Sequence, residues 1–325
     1  MVKAIRVHRA GGPEVLQWET VEVPPPEAGE IRLKHTAIGV NFFDTYMRWG
    51  VYAPAGYPFT PGMEGAGVVT AIGEGVTSCH VGQRVAYAGR PVGSYAEERI
   101  MPANRVVPVP DGISDEMAAA IMLKGMTAHM LLIDVYPVKA GQFILVHAAA
   151  GGMGILLSQW ARSLGAIVIG TVSSEAKAKV AMENGVSHPI IYTSEDLVQR
   201  VKEITQGKGV SVVYDGVGKD TFMGSLDCLA PRGMLVSYGQ ASGSPPPFHV
   251  SELGKRGSLS LSRPALFDYI VMREDLVSRA EAVFSMVLSG ALKVSVPHRY
   301  PLAEASRAHE DLEARKTTGS VVLLP

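Results

Sequence analysis

The feature that most constrains this chain is a repeated alternation of short apolar runs with helical stretches, from about residue 125 to residue 239. "FILVHA" precedes "GILLSQWARSLG", "IVIGTV" precedes "EAKAKVAMENG", "PIIY" precedes "SEDLVQRVKEITQG", and "VSVVYDGV" precedes "DTFMGSLDCLAP" before "GMLVSYG" closes the series. Apolar runs of this length, bounded by turn residues, read as strands buried on both faces, and the segments between them carry helical periodicity. Strands that alternate with helices are joined by crossovers, so the pattern predicts βαβ units and a doubly wound parallel sheet.

The flanks read differently. Residues 1 to about 123 are rich in Gly and Pro and in short β-prone pieces such as "EIRLKHTAIGV" (30–40), "GAGVVTAIG" (65–73) and "GQRVAYAG" (82–89), which predicts an all-β, barrel-like domain. After "SLSLSRP" (258–264) come two helical patterns, "REDLVSRAEAVFSMVLSG" and "LAEASRAHEDLEAR", and a last strand, "GSVVLLP". At 325 residues the chain exceeds the usual size of one domain. The expected organisation is an α/β protein with a β-barrel domain over 1–124, completed by 264–325, and a parallel-sheet domain over 125–263.

Between the first apolar run and the first helical stretch lies "HAAAGGMG", His147 to Gly154. A dinucleotide-binding turn needs a strand, glycines that let the backbone approach a pyrophosphate, and a helix whose N-terminal N–H groups and dipole face the anion. All three occur here in order. Gly151 and Gly154 fill two positions of a G-x-x-G-x-x-G spacing, while Ala148 fills the first. The choice of dinucleotide is read at the end of the second strand, where NAD sites commonly place Asp or Glu about 20 residues past the turn. Here the strand runs into Ser173, Ser174 and Lys177, and the first acid, Glu175, already belongs to the next helix. No carboxylate stands where it would repel a 2′-phosphate. The serines are equally good helix caps, and Lys177 reads equally as solvated surface. Tyr192, after the third strand, is a further candidate for the adenosine side.

Charge excludes other partners. Lys plus Arg number 30 against 31 Asp plus Glu, a net charge of −1 with no block of like charge, so nucleic acid and anionic membrane have no electrostatic footprint. No apolar run is expected to reach the roughly 18 to 20 residues that span a bilayer, and the opening "MVKAIRVHRAGGPEVLQ" has no apolar leader segment. The two cysteines, Cys79 and Cys228, lie too far apart in sequence for a ligand cluster or a disulfide framework. A cytoplasmic protein is expected.

The chain resembles the zinc-free quinone oxidoreductases, or ζ-crystallin-like proteins, of the medium-chain dehydrogenase/reductase superfamily. The resemblance spans the chain and rests on "GGPEVL", "AIGVNFFDTYMRWGVY", "PGMEGAGVV", "GVTSCHVGQRVAY", "GSYAEE", "LKGMTA", "HAAAGGMG" and "RAHEDLEARKTTGSVVL". It implies a GroES-like β-barrel catalytic domain, a Rossmann domain, NADPH as cofactor and a homodimer. It also implies cofactor contacts at Asn41, Phe42, Asp44, Tyr46, Gly151, Gly152, Ser173, Lys177, Tyr192, Tyr238, Gly239, Pro264, Leu266 and Arg315, and Thr127, Ala150, Met153, Gly154 and Ser174 are further candidate cofactor contacts. Met130 stands where relatives can carry an aromatic residue.

Zinc separates the branches of this superfamily. The alcohol dehydrogenases place Cys in the segment matching "IGVNFFD" and His in the segment matching "PGMEGAG", where this chain has Asn41 and Met63. A catalytic zinc needs about three such ligands and Glu64 alone cannot hold it, so no metal is expected. Without a Lewis acid, a quinone is a suitable acceptor because its conjugated system spreads the charge of an added hydride. Asn41, Tyr46 and Tyr52 are the candidate catalytic residues, for orientation or proton delivery. Phe42, Phe43, Trp49 and Tyr52 would suit a flat ring, although aromatics at that spacing are more often core. Two alternatives stay open: a reductase of α,β-unsaturated carbonyls, and a non-catalytic, crystallin-like NADPH-binding protein. The strand "GMLVSYGQ" is expected to be an unpaired sheet edge through which two copies pair.

Overall fold

The strand Glu30–Val40 organises the first unit because it alternates, then stops alternating. Ile31, Leu33 and His35 are buried while Lys34 is exposed, as a sheet with one covered face requires, and then Ala37 to Val40 are all buried. Along its length it pairs antiparallel with Glu64–Ile72; Glu98–Pro102 pairs with its first half and Val321–Leu324 with its last residues. The full sheet runs His298–Pro301, Val321–Leu324, Glu30–Val40, Glu64–Ile72, Arg84–Ala88 and Val107–Pro108, so the end of the chain completes the β-domain built by its beginning. Ile31, Leu33, Val69, Val85, Tyr87 and Met101 form its core, each full burial contributing roughly 1.5 to 3 kcal/mol. His35 survives in that core because both ring nitrogens are satisfied, by Ala96 O at 2.7 Å and the Tyr87 hydroxyl at 2.8 Å. Burial first, then Arg99, pushes it down to about 3, so it is neutral.

In the second unit six parallel strands stand in the order His188–Ile191, Ile167–Val172, Phe143–Val146, Val210–Asp215, Leu229–Ser237, Ser260–Ser262. Counted in chain order this is 3-2-1-4-5-6, the doubly wound arrangement, with its switch of direction between the first and fourth strands. Helices Gly152–Ser163, Glu175–Glu183, Leu197–Ile204 and Phe222–Cys228 connect them. Leu145, Ile169, Val213 and Leu235, one from each of four strands, share one core.

The computed structural model describes residues 1–54 and 56–325. Its two units are Met1–Met126 with Ile270–Gly290 and Val294–Pro325, and Thr127–Tyr269 with Ala291–Lys293. Two expectations are corrected. Leu229–Ser237 is not an edge, because "SLSLS" folds beside it as a further parallel strand, Leu235 opposite Leu261. The edge is therefore the three residues Ser260–Ser262. Helix Asp115–His129 continues through a π-helical turn, Met130–Val135, and these 21 residues are apolar and long enough by composition to cross a membrane, against the expectation that no apolar run reaches that length. Scattered charges such as Lys124 break the run without making it polar. The protein itself buries 67% of that window, as befits a core helix.

Candidate active site

The turn after Phe143–Val146 lies at the switch point of the parallel sheet. Ala148, at the first position of the glycine spacing, has φ of +53°, the left-handed region, at a cost of about 1–2 kcal/mol that glycine avoids. Gly154 is required sterically: a Cβ there would lie 2.3 Å from Ala148 O and 2.7 Å from Ala149 Cα. At Gly151 a Cβ would meet only Ala148 O, at 3.2 Å. Gly151 is the cap of helix Gly152–Ser163, and this cap makes no side-chain hydrogen bond and has no acid in the first turn. By contrast, Ser174 caps helix Glu175–Glu183 by accepting from Lys177 N, and Asp196 caps Leu197–Ile204 by accepting from Gln199 N. The helix start at 152–154, around Met153 and beside the buried Ala150, thus keeps its backbone donors for an anion. This donor set fits a dinucleotide pyrophosphate.

Side chains brace the turn from beneath. His147, buried, bonds Thr171 Oγ1 at 3.0 Å through Nδ1 and Ser225 Oγ at 2.9 Å through Nε2. Burial lowers its pKa, so it is neutral. Ser225, His147 and Asp215 superficially suggest a nucleophilic trio, but all three are buried and Ser225 donates to Thr221 O at 2.8 Å. Asp215, ending the fourth strand, accepts from Val217 N at 2.8 Å and Gly218 N at 3.0 Å, while its carbonyl accepts from Tyr238 N at 2.9 Å. Arg263 donates to Ser237 O and Gly239 O at 2.8 and 2.9 Å and to Gln240 Oε1 at 3.0 Å. The loops carrying Tyr238 and Gly239 are thereby fixed at the strand ends.

Around the second strand, Ser173 and Lys177 are half-buried and Ser174 is exposed. Tyr192 is 43% exposed, its N–H donating to Val172 O at 3.1 Å. Thr127 is half-buried in the long helix; Pro264 follows the edge strand, and buried Leu266 opens the short helix Leu266–Tyr269.

In the first unit, Asn41 caps helix Phe42–Arg48: its N–H donates to Asp44 Oδ2 at 2.8 Å, and Asp44 N returns a bond to Asn41 O at 3.0 Å. The helix gathers the aromatic residues. Phe43 and Tyr52 stack with centroids 5.3 Å apart, and Tyr46 lies within 6.5 Å of Phe42, Phe43, Trp49 and Tyr52. Trp49 and Tyr52 are 38% and 40% exposed, so this is a half-open aromatic wall as well as core. Arg315 is exposed, in left-handed conformation with φ of +57°, just beyond helix Ala305–Glu313.

Two buried polar clusters lie behind Asn41. In one, Asn41 Nδ2 donates to Glu64 Oε1 at 2.9 Å, joined by Lys124 Nζ at 3.1 Å, while Leu123 N donates to Glu64 Oε2 at 2.7 Å. The other runs from Asp44 through Tyr95, His309 and Arg48 to Glu313. Arg48 can only donate, so it donates to His309 Nδ1; the ring carries its proton on Nε2, donates to the Tyr95 oxygen, and Tyr95 donates to Asp44 Oδ2. Burial, helped by Arg48, takes His309 down to about 3. Burial lifts Asp44 to about 7, with Glu64 adding to the rise and Asn41, Tyr95 and Lys124 opposing it. Asp44 has no exposed surface, and its Oδ1 finds no partner among the described residues.

The positions discussed for zinc are Asn41 and a fully buried Met63, and Glu64 is committed to three donors. Among the described residues no three His, Cys, Asp or Glu side chains gather as metal ligands. Sequence reasoning missed Lys124, Tyr95, His309, Asp215 and Arg263. Asp215 carried a signal, an acid ending an apolar strand before Gly; the rest act through partners distant in the chain.

A β-domain closed by the chain's own end, and a doubly wound sheet with an uncapped glycine turn at its switch point, define a nucleotide-dependent oxidoreductase of the alcohol dehydrogenase type. Accordingly, residues 27–111 match the alcohol dehydrogenase GroES-like domain family and residues 152–278 the zinc-binding dehydrogenase family. The chain is 47% identical to a quinone oxidoreductase of Pseudomonas aeruginosa, covering 100% of both, and 48% identical to a 2-haloacrylate reductase of Burkholderia sp, covering 100% of this chain and 99% of that protein. The crystal structure of Escherichia coli quinone oxidoreductase complexed with NADPH matches with a TM-score of 0.98 at 45% identity, over 99% of this chain and 100% of that one. The chain belongs to the quinone oxidoreductase family of the medium-chain dehydrogenase/reductase superfamily.

Proposed function

We propose that this protein is an NADPH-dependent quinone oxidoreductase that works without a metal. The observation that carries the reading is the full-length likeness to a quinone oxidoreductase complexed with NADPH, joined to a glycine turn whose helix start is uncapped. Bound NADPH supplies the hydride. The backbone N–H groups of Gly152, Met153 and Gly154 hold the pyrophosphate, Gly151 lines the turn with its own N–H given to Ala148 O, and Ser173, Ser174, Lys177 and Tyr192 surround the adenosine 2′-phosphate. Thr127, Ala150, Tyr238, Gly239, Pro264 and Leu266 complete the Rossmann-unit contribution. From the GroES-like unit, Asn41, Phe42, Tyr46 and Arg315 contribute to the cofactor, and Asp44 acts through the backbone of Asn41. Asn41 orients the acceptor, while Tyr46 and Tyr52 bound it and offer hydroxyls to the oxygen that gains a proton. The work of the protein is orientation and exclusion of water, since a quinone needs little further activation.

A second reading is favoured by one observation: the 2-haloacrylate reductase is as similar as the quinone oxidoreductases. Reduction of an electron-poor carbon–carbon double bond uses the same hydride and the same need for a stabilised charge. The test is NADPH oxidation against quinones, enones, 2-haloacrylates and simple aldehydes. Fastest turnover of quinones supports the main reading, turnover of the activated alkenes alone supports the second, and preference for simple aldehydes overturns both. The protein is further proposed to be a cytoplasmic homodimer. Its Ser260–Ser262 edge, unpaired on one side within the sheet, offers the backbone groups through which a second copy would extend it.

A further inference from the structure

We infer that Glu64, held by Lys124, is the positioning residue that sets the orientation of the Asn41 side-chain amide in the reaction. The inference rests on the reading of Asn41 as a group that faces the reactants. Its basis is the matching of donors to acceptors. Three donors converge on Glu64: Asn41 Nδ2 at 2.9 Å, Lys124 Nζ at 3.1 Å and Leu123 N at 2.7 Å. Only an acceptor-only group with two oxygens satisfies all three, and that is a carboxylate. Glutamine at this position would turn an N–H against at least one donor. The carboxylate also decides which way the Asn41 amide lies, because the opposite orientation would set an amide oxygen against a carboxylate oxygen at the same 2.9 Å separation. With Nδ2 anchored, Oδ1 is turned away from Glu64, and one N–H of the amide remains to be directed elsewhere.

The fold is built to admit this device. Glu64 is completely buried at the start of its strand, and Asn41 is only 7% exposed. Gly39 makes room for the carboxylate: a Cβ there would lie 2.3 Å from Glu64 Oε1 and 2.2 Å from Ala119 O. The Asn41 backbone N–H is held by Asp44 Oδ2 at 2.8 Å, so the main chain at this position is fixed as well as the amide. A buried ion pair costs desolvation that an apolar pair of similar volume avoids, so its presence here is explained by the orientation it imposes rather than by stability.

The test is a double-mutant cycle of Asn41→Ala and Glu64→Gln, read in kcat with NADPH and a quinone. Asn41→Ala is expected to lower kcat about tenfold or more, and Glu64→Gln about fivefold, with smaller changes in the KM for NADPH. In the Asn41→Ala background, Glu64→Gln should change kcat by less than about twofold, because it acts through a side chain no longer present. Losses that multiply would show a merely structural Glu64 and overturn the inference. A second measurement needs no Glu64 variant and no turnover: the Asn41 side-chain NH2 signals in a nitrogen-15 spectrum, assigned by their loss in Asn41→Ala. A dispersed pair of protons, shifted from the positions of an exposed asparagine amide and slow to exchange with solvent, is expected, and a pair at exposed-asparagine positions that exchanges rapidly would overturn the inference. Wild type that turns over no quinone while keeping the dispersed pair would defeat the proposed function and leave the anchoring of Asn41 standing.

Discussion

The glycine turn at 147–154 and the Asn41 corner of the GroES-like unit prepare for ligands in opposite ways. The turn withholds side chains: a Cβ on Gly154 would have to displace the turn, and the helix start lacks the side-chain cap that Ser174 and Asp196 give the next two helices. The Asn41 corner does the reverse, burying Glu64, Lys124, Asp44 and Arg48 in two hydrogen-bonded polar clusters. Backbone donors suit a pyrophosphate, which is recognised by charge and shape and needs little angular precision. A reacting oxygen demands a defined direction, which comes from side chains locked by neighbours. Recognition at the turn is therefore expected to tolerate polar changes nearby, and the Asn41 corner is not.

The sharpest way to break this contrast is Lys124→Met. It leaves Glu64 buried without its cation, and the loss expected is about 3–5 kcal/mol in denaturant unfolding. A loss within about 1 kcal/mol would show that the corner is not electrostatically committed.

Asp44→Asn tests the same corner through pH. Folding raises the Asp44 pKa from 3.8 to about 7, so between those values the folded state holds a proton that the unfolded state has released. Stability contributed by this group therefore falls as pH rises through the window. Asparagine lacks that penalty, so the variant should gain on wild type from about pH 4 to pH 7 and level off above, by on the order of 2–4 kcal/mol. Unfolding curves across pH decide it, and a gain that grows toward acid would refute the burial argument. His309, held down to about 3, has the opposite sign, losing stability as pH falls from about 6.5 toward 3.

On the other side of the comparison, Gly154→Ala should cost about 1–3 kcal/mol through overpacking and weaken NADPH binding as the helix start shifts. Gly151→Ala, with more room, should spare stability. Equal stability losses would remove the distinction drawn between the two glycines.

Lys177→Ala should weaken NADPH about tenfold while leaving NADH nearly unchanged, and rising salt should erode the preference. Dissociation constants for both cofactors measure this, and equal losses for the two would show that Lys177 does not read the phosphate. Smallest of all, Ala148→Gly should relieve the left-handed strain and raise stability by no more than about 1 kcal/mol, because glycine's greater freedom in the unfolded chain offsets part of the gain. Marked destabilisation would mean that the Ala148 methyl packs usefully.

The parallel sheet and the glycine turn were legible because their causes are local. A strand buried on both faces must be apolar along its length, and a helix that receives a phosphate needs glycine immediately before it, so both conditions are written within a dozen residues. The aromatic cluster on "NFFDTYMRWGVY" was legible for the same reason. The edge of the sheet was misread because "SLSLS" is too short and too polar to announce a strand; only a neighbouring strand with open hydrogen-bonding groups makes it one. The long helix was missed as an apolar span because scattered charges interrupt its sequence but not its average.

What the sequence by itself determined was the series of secondary elements, the turn that favours a phosphate, and the absence of Cys and His at positions 41 and 63. What only the tertiary structure decided was which polar residues meet. Glu64 and Lys124 lie sixty residues apart, and Arg48 and His309 more than two hundred and sixty. Hydrogen bonds and ion pairs act over about 3–4 Å of space, so their partners are chosen by strand register and helix packing, which no local spacing records.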